Sequence, residues 1–377
     1  MMVTFLLVIF IAVARDDLAY GAEPGAGWQL EWDRTMEVAK KEGEVVLYAS
    51  DDYERLFAEF RKKYPEISVK GFYARGQDVV QRMMNERRAG KYIADLYIDG
   101  MTTGYNVLYK GKAVDAIKPT LILPEVRDQS KWWHGKHHYI DPEGQYLLIF
   151  DGESRVDICY NSTQLDPNEI KSYWDLVNPK WKGKMATMDP TIGGPVGTTL
   201  RFMYYSPLLG PNFLRRLLGE MDLTPSRDSR QIADWLSSGK FAVTLLNSAS
   251  RMDLGKAKAQ GLPVGWYGPK DLKEGAAITA ASGGIALINR APHPRAAKIA
   301  INWLLSREGQ IDYQKFFATA EEGPDSLRID IPKNGVPVGS RRVEGVIDDS
   351  KYPVTDRVEW MDFTPIRKFI DEVWKKK

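Results

Sequence analysis

The sequence predicts an α/β protein of two lobes, each a mostly parallel sheet flanked by helices. Three observations lead there. Short unbroken apolar runs such as Val45-Val46-Leu47-Tyr48 read as strands covered on both faces. Amphipathic helical stretches follow them through loops rich in Ser, Thr, Asp and Gly. The length, 377 residues, suits two lobes of ordinary size better than one core.

The opening unit spans residues 43–65. After the strand, Ala49-Ser50-Asp51-Asp52 supplies small and N-cap-prone residues. Tyr53, Leu56, Phe57 and Phe60 then recur at helical spacing, and Tyr64-Pro65 ends the helix. Ile67-Ser68-Val69 begins the next strand, giving a βαβ unit whose first loop opens onto a helix N-terminus. Such a loop is where an open α/β sheet holds a small, often anionic ligand.

Ahead of this unit, residues 28–41 read as an amphipathic helix with Trp28, Leu30, Trp32, Met36 and Val38. Beyond it, Arg75-Gly76-Gln77-Asp78 leads into a helix over 79–89 that Gly90 stops. Residues 94–98 form another strand, and Asp99-Gly100-Met101-Thr102-Thr103-Gly104 a second strand-to-helix loop. Residues 119–152, with prolines, tryptophans and three of the four histidines, read as the route to a second lobe. There, strands at 156–161, 185–188 and 241–246 alternate with helices at 172–177, 213–221 and 229–237. Thr191, Gly194 and Thr198 lie in a Gly-rich loop opening a helix, and Asn247 and Ser248 in a strand exit loop. Residues 285–288 return the chain to the first lobe, 293–305 form a strong helix, and 366–374 a final amphipathic one.

Apolar content of 44% and charged content of 27% are ordinary for a globular protein. A net charge of +2 gives no general electrostatic argument for a nucleic-acid partner, and none is expected. The single cysteine, Cys159, sits in an apolar run and reads as a buried, inert thiol. Residues 3–14 are an uninterrupted apolar run, short for a bilayer span but right for a signal-peptide core, so residues 1–22 are expected to direct export. The run lacks the usual preceding Lys or Arg.

An ordered series of motifs now carries a family resemblance. It runs from Ala39-Lys40-Lys41-Glu42-Gly43 through Lys63-Tyr64-Pro65, Ala89-Gly90 and Ala94-Asp95 to Tyr160-Asn161 and Trp174-Asp175-Leu176. It continues with Pro179-Lys180-Trp181-Lys182-Gly183-Lys184, Asp189-Pro190, Trp303-Leu304-Leu305-Ser306 and Glu308-Gly309-Gln310. The chain resembles the periplasmic solute-binding proteins of bacterial ABC importers, extracellular solute-binding family 1, in the group that includes the ferric-ion-binding proteins. Each motif alone is weak; the series covers nearly the whole mature chain in the family's order.

The resemblance implies the two-lobed type II periplasmic-binding-protein fold: residues 28–150 and 288–377 as the first lobe with a helical tail, 151–287 as the second, and a hinge between. It implies a non-catalytic, monomeric, periplasmic protein without a cofactor, whose partners are a small-molecule solute and inner-membrane ABC permease subunits. Ferric members hold iron through a His or carboxylate after the first strand, a Glu after the Ala-Asp strand and two adjacent tyrosines after a second-lobe strand. The matching places here are Asp51-Asp52, Asp99-Gly100 and Ser248-Ala249-Ser250, so the paired tyrosines are missing. Ferric iron demands anionic oxygen ligands, and without two phenolates the case for a bare-iron site weakens.

The expected ligand contacts are therefore Ser50, Asp51, Asp52, Arg75, Gly76, Gly100, Met101, Thr102, Thr191, Gly194, Thr198, Asn247 and Ser248. They offer backbone N–H groups, hydroxyls and one guanidinium, chemistry suited to an oxyanion-bearing organic solute or an iron complex. Ordinary helix capping explains the same Ser, Thr, Asp and Asn residues, and a surface ion pair explains Arg75 equally well. His134, His137 and His138 match no defined zinc spacing and no metal is expected there. Tyr204-Tyr205 and Trp266-Tyr267 read as core aromatics rather than ligand stackers.

Three alternatives stay open: a secreted α/β hydrolase or transferase, a ferric-ion-binding protein with a non-tyrosine site, and a sensor subunit serving a receptor. The enzyme would need Ser248 or Ser250 as nucleophile with a His partner such as His293. The chain has no Gly-x-Ser-x-Gly elbow, no His-Glu-x-x-His helix and no Walker loop.

Overall fold

The computed structural model describes residues 27–50, 53–74, 76–192, 194–246, 251–319, 322–343 and 350–374. The signal-peptide expectation for residues 1–22 lies outside them.

In chain order the first half runs α1 (Gly27–Glu42), β1 (Glu44–Ala49), α2 (Tyr53–Lys63), β2 (Ser68–Tyr73), α3 (Gly76–Arg88) and β3 (Leu96–Ile98). The short α4 (Met101–Thr103) continues into a π turn, Gly104–Tyr109. Then come β4 (Val114–Asp115), α5 (Pro124–Arg127), β5 (His138–Tyr139), β6 (Leu147–Ile149), β7 (Glu153–Arg155) and β8 (Ile158–Asn161). The second half runs β9 (Met185–Met188), α6 (Pro195–Tyr205), α7 (Gly210–Glu220), β10 (Thr224–Ser226), α8 (Ser229–Ser237), β11 (Val243–Leu245) and α9 (Arg251–Ala259). It closes with β12 (Val264–Trp266), β13 (Ala277–Thr279), β14 (Gly284–Ile288), α10 (Pro294–Leu305), α11 (Arg307–Phe317) and α12 (Thr364–Val373).

Among the described residues two main sheets form, each with its own apolar core. The first has the order β2-β1-β3-β14-β6-β5 with β4 on β14; the second is β10-β9-β11-β8-β12. The two-lobed fold expected from the sequence is present, and its sheets are more mixed than expected. In the first, β1 pairs in parallel with β2 and β3, whereas β14 is antiparallel to β3 and β6. In the second, β9 pairs in parallel with β10 and β11, whereas β8 is antiparallel to β11 and β12. β8 and β14, which run against their neighbours, are the strands the chain enters directly from the passages between sheets.

Those passages are visible as a third, two-stranded ribbon. β7 links β6 to β8, β13 links β12 to β14, and the two pair antiparallel with Ser154 opposite Ile278. A third passage joins them: Val354 bridges Ile278 in parallel, and the Thr355 amide donates to Ile278 O at 2.8 Å. Among the described residues the chain therefore runs through the hinge three times.

The first core centres on aromatic packing of α2 against α10. Phe57 and Phe60 meet the Trp303 ring edge-on, at centroid distances of 5.2 and 5.4 Å. Such pairs each add about 1 kcal/mol beyond the area they bury. Asp95, just before β3, ties three elements together, accepting from the Val46 amide at 2.7 Å and from the His293 amide at 2.7 Å. The tail departs from the expected return to the first lobe. Ile366, Phe369, Ile370 and Val373 of α12 join the second lobe's core against α6 and α7. The apolar face of that helix finds its complement there, with Phe369 edge-on to Tyr204 at 5.6 Å.

Candidate functional site

The strand-end loops of the first sheet leave from one edge. Ala49 of β1 stands opposite Ile98 of β3, so Ser50 and Asp99 emerge side by side. Ser50 caps α2 through its carbonyl, which accepts from the Tyr53 amide at 3.2 Å. Asp99 is buried, and its Oδ1 accepts from the Gly100 amide at 2.6 Å. The Tyr97 hydroxyl donates to Gly100 O at 3.1 Å, fixing the turn into α4. Gly76 comes in over the same carboxylate: a β-carbon there would lie 2.8 Å from Asp99 Oδ2. Met101 is buried behind this turn and Thr102 is half-exposed at its end.

On the second sheet, the loop after β9 leads into α6. Gly194 precedes the helix with φ of 72°, a conformation that favours glycine. The Thr198 amide donates to Gly194 O at 3.3 Å, and Thr198 is half-buried. Thr191 is committed elsewhere: its amide and hydroxyl both donate to Asp189 Oδ1, at 2.9 and 2.7 Å. Arg227 completes that cluster on Asp189 Oδ2 at 2.8 Å, which keeps Thr191 on an exposed capping turn. Asp51, Asp52, Arg75, Asn247 and Ser248 lie outside the described residues.

The two lobes meet at a residue the sequence reading passed over. Arg201, two turns into α6, is 2% exposed, and its Nη2 donates to Thr102 Oγ1 of the first lobe at 3.2 Å. Its Nη1 lies 3.4 Å from Thr355 O and 3.5 Å from Asp356 Oδ1, both on the third hinge passage. Burial lowers the guanidinium's pKa, with the Asp356 charge opposing. A charged residue inside the otherwise apolar helical run Leu200–Tyr205 was the available signal, because a buried charge must find partners. Structure thus brings Gly76, Gly100, Met101 and Thr102 together, sets Thr102 against α6, and leaves Thr191 aside.

A second group of buried charges lies along the hinge. Glu153 pairs with Arg155, Asp157 accepts from the Thr199 hydroxyl, and Arg251 donates to Val156 O. Glu322 is pushed up to about 7, chiefly by burial, against the opposing pull of Arg155 and Arg251. Burial likewise raises the Cys159 thiol to about 11, far from thiolate chemistry at neutral pH.

The histidine cluster serves as a packed connector. His137 Nε2 lies 2.8 Å from Val126 O and His138 Nε2 2.9 Å from Trp133 O, and burial lowers His138 to about 4. These residues line a cavity of about 340 Å³ with Asp356 and Arg357, on the connector and hinge rather than at the strand-end loops. Tyr205 stacks on Trp360 at 5.3 Å, and Tyr267 is buried, so both aromatic pairs contribute to packing.

Two mixed sheets joined by hinge passages, with a strand-end turn of one set against a helix of the other, define the two-lobed fold of periplasmic binding proteins. No protein-family model matches the chain. Among solved structures, it is similar to the Trichodesmium protein IdiA (FutA) in complex with iron and citrate ligands, at 18% identity and a TM-score of 0.65, covering 88% of this chain and 100% of that one. It is also similar to iron-bound HitA from Pseudomonas aeruginosa, at 17% identity and 0.59, covering 88% and 99%. An ABC transporter structure from Clostridium perfringens matches at 16% identity and 0.62, covering 88% and 100%.

Proposed function

We propose that this protein is the periplasmic solute-binding component of an ABC importer, capturing a small solute between its lobes and delivering it to membrane permease subunits. The observation that carries this reading is the contact of Arg201 with Thr102 across the hinge, which sets a strand-end turn of one sheet against a helix of the other. The mechanism is reversible capture. A solute touching both walls favours the closed arrangement by its differential affinity for it, and closure removes the contacts from water.

The solute class that fits is an oxyanion-bearing organic molecule or an iron complex with such a ligand. The neighbouring folds include proteins described with iron, and one with iron and citrate. The adjacent tyrosines of ferric sites have no counterpart in Ser248-Ala249-Ser250, so a chelate presenting its own carboxylates suits the chain better than a bare ion. A non-enzymatic role accords with the buried, inert Cys159.

Native mass spectrometry and metal analysis of protein expressed in the periplasm test the reading, together with small-angle scattering before and after ligand removal. Retention of a small solute and expansion on its removal are expected. A protein that carries nothing, and whose shape ignores iron citrate, carboxylates, phosphonates and sulfonates, would overturn it.

A further inference from the structure

Arg201 is held as though one partner were still to come. Its three contacts are all long: 3.2 Å to Thr102 Oγ1, 3.4 Å to Thr355 O and 3.5 Å to Asp356 Oδ1. Its Nε has no acceptor among the described residues, although the side chain is 2% exposed. A guanidinium offers five N–H donors in a planar fork and normally takes an anionic oxygen at roughly 2.7–2.9 Å.

Asp356 is not placed to close that gap. Its Oδ2 accepts from the Ala280 amide at 2.8 Å and from the Thr279 hydroxyl at 3.2 Å, which binds the carboxylate to the hinge strands. The backbone beside it is fixed as well, because Thr355 donates to Ile278 O through both its amide and its hydroxyl, at 2.8 and 3.0 Å. A buried cation with a distant counter-ion and an unused donor is costly unless another acceptor arrives.

We propose that Arg201 is the anion receptor of the interlobe crevice: its Nε and Nη groups take an oxyanion of the solute, while Thr102 contacts the same solute from the opposing wall. This rests on the capture reading above and assigns the charge that reads the solute. A carboxylate, a phosphonate and a sulfonate share the required chemistry. One side chain would then select for negative charge and register closure, since its partners belong to the other lobe and to the hinge.

The test uses the whole protein, stripped of any retained solute, titrated calorimetrically with citrate, ferric citrate, methylphosphonate, methanesulfonate and uncharged glycerol. Wild type is expected to bind at least one anion, Arg201→Gln to weaken it about a hundredfold, and Arg201→Lys, which keeps the charge but not the fork, about tenfold. Because Arg201→Gln strands Asp356, the double variant Arg201→Gln/Asp356→Asn restores charge balance; it is expected to melt near wild type and still bind weakly. Which anion binds separates the three headgroups. An Arg201→Gln affinity within threefold of wild type, or closure around glycerol alone, would overturn the inference and leave capture standing. Wild type that neither binds nor compacts with any probe would remove both.

Discussion

Arg251 Nε lies 3.8 Å from Glu322 Oε1, and the two residues belong to opposite lobes. Arg251 opens α9 of the second lobe; Glu322 follows α11 of the first. Burial raises the Glu322 carboxyl from its ordinary 4.5 to about 7, so the folded protein holds this proton more tightly than the unfolded chain. Its stabilising contribution is full below about 4.5 and lost as pH rises through about 7. The melting temperature of Glu322→Gln should match wild type near pH 4.5 and exceed it at pH 8. A variant less stable than wild type at pH 8 would show that the ion pair with Arg251 outweighs the burial.

Asp95 predicts a larger effect. It is fully buried and accepts from the amides of Val46 and His293 and, at 2.9 Å, pairs with His293 Nδ1. Asp95→Ala leaves those donors without their acceptor and should cost about 2–4 kcal/mol in urea unfolding. A loss below about 1 kcal/mol would mean that water or a shifted backbone replaces the carboxylate.

Gly284 tests the turn that carries Thr102. A β-carbon there would fall 2.2 Å from Met101 Cγ and 3.0 Å from Asp99 O. Gly284→Ala should destabilise by about 1–3 kcal/mol, as overpacking does, and displace Met101. Solute affinity should fall alongside stability; unchanged affinity would place the binding wall away from Met101 and Thr102.

Phe369 tests the placement of the last helix. Its ring is buried in the second lobe, edge-on to Tyr204 and under Arg215 at 5.2 Å. Phe369→Ala should cost about 3–5 kcal/mol, with the largest loss of amide protection in α6 and α7. Loss confined to α1 and α10 would contradict the packing.

The sequence disclosed what local pattern controls. Val45–Tyr48 read as a covered strand because every residue in it is apolar, and it lies in the middle of the first sheet's parallel half. The turns at Ser50 and Gly100 were legible because small and capping residues follow strands there. What stayed hidden is long-range. That β14 inserts antiparallel between β3 and β6 depends on a pairing across nearly two hundred residues, which no periodicity records. Arg201 was missed because its helix reads as core, and Asp356 because it sits in an irregular tail; only their meeting at the hinge gives either a role. The amphipathic face of α12 was plain, but an apolar stripe does not say which of two cores it completes.

The third hinge passage and α12 make the second lobe's interior depend on a distant stretch of the chain. The middle of the chain builds most of the second lobe, yet that lobe's hydrophobic interior is finished by Ile366, Phe369, Ile370 and Val373 of α12, about a hundred residues beyond its last strand. The second lobe's core is therefore complete only with α12 docked, and a variant lacking that helix is left with exposed apolar surface on α6 and α7.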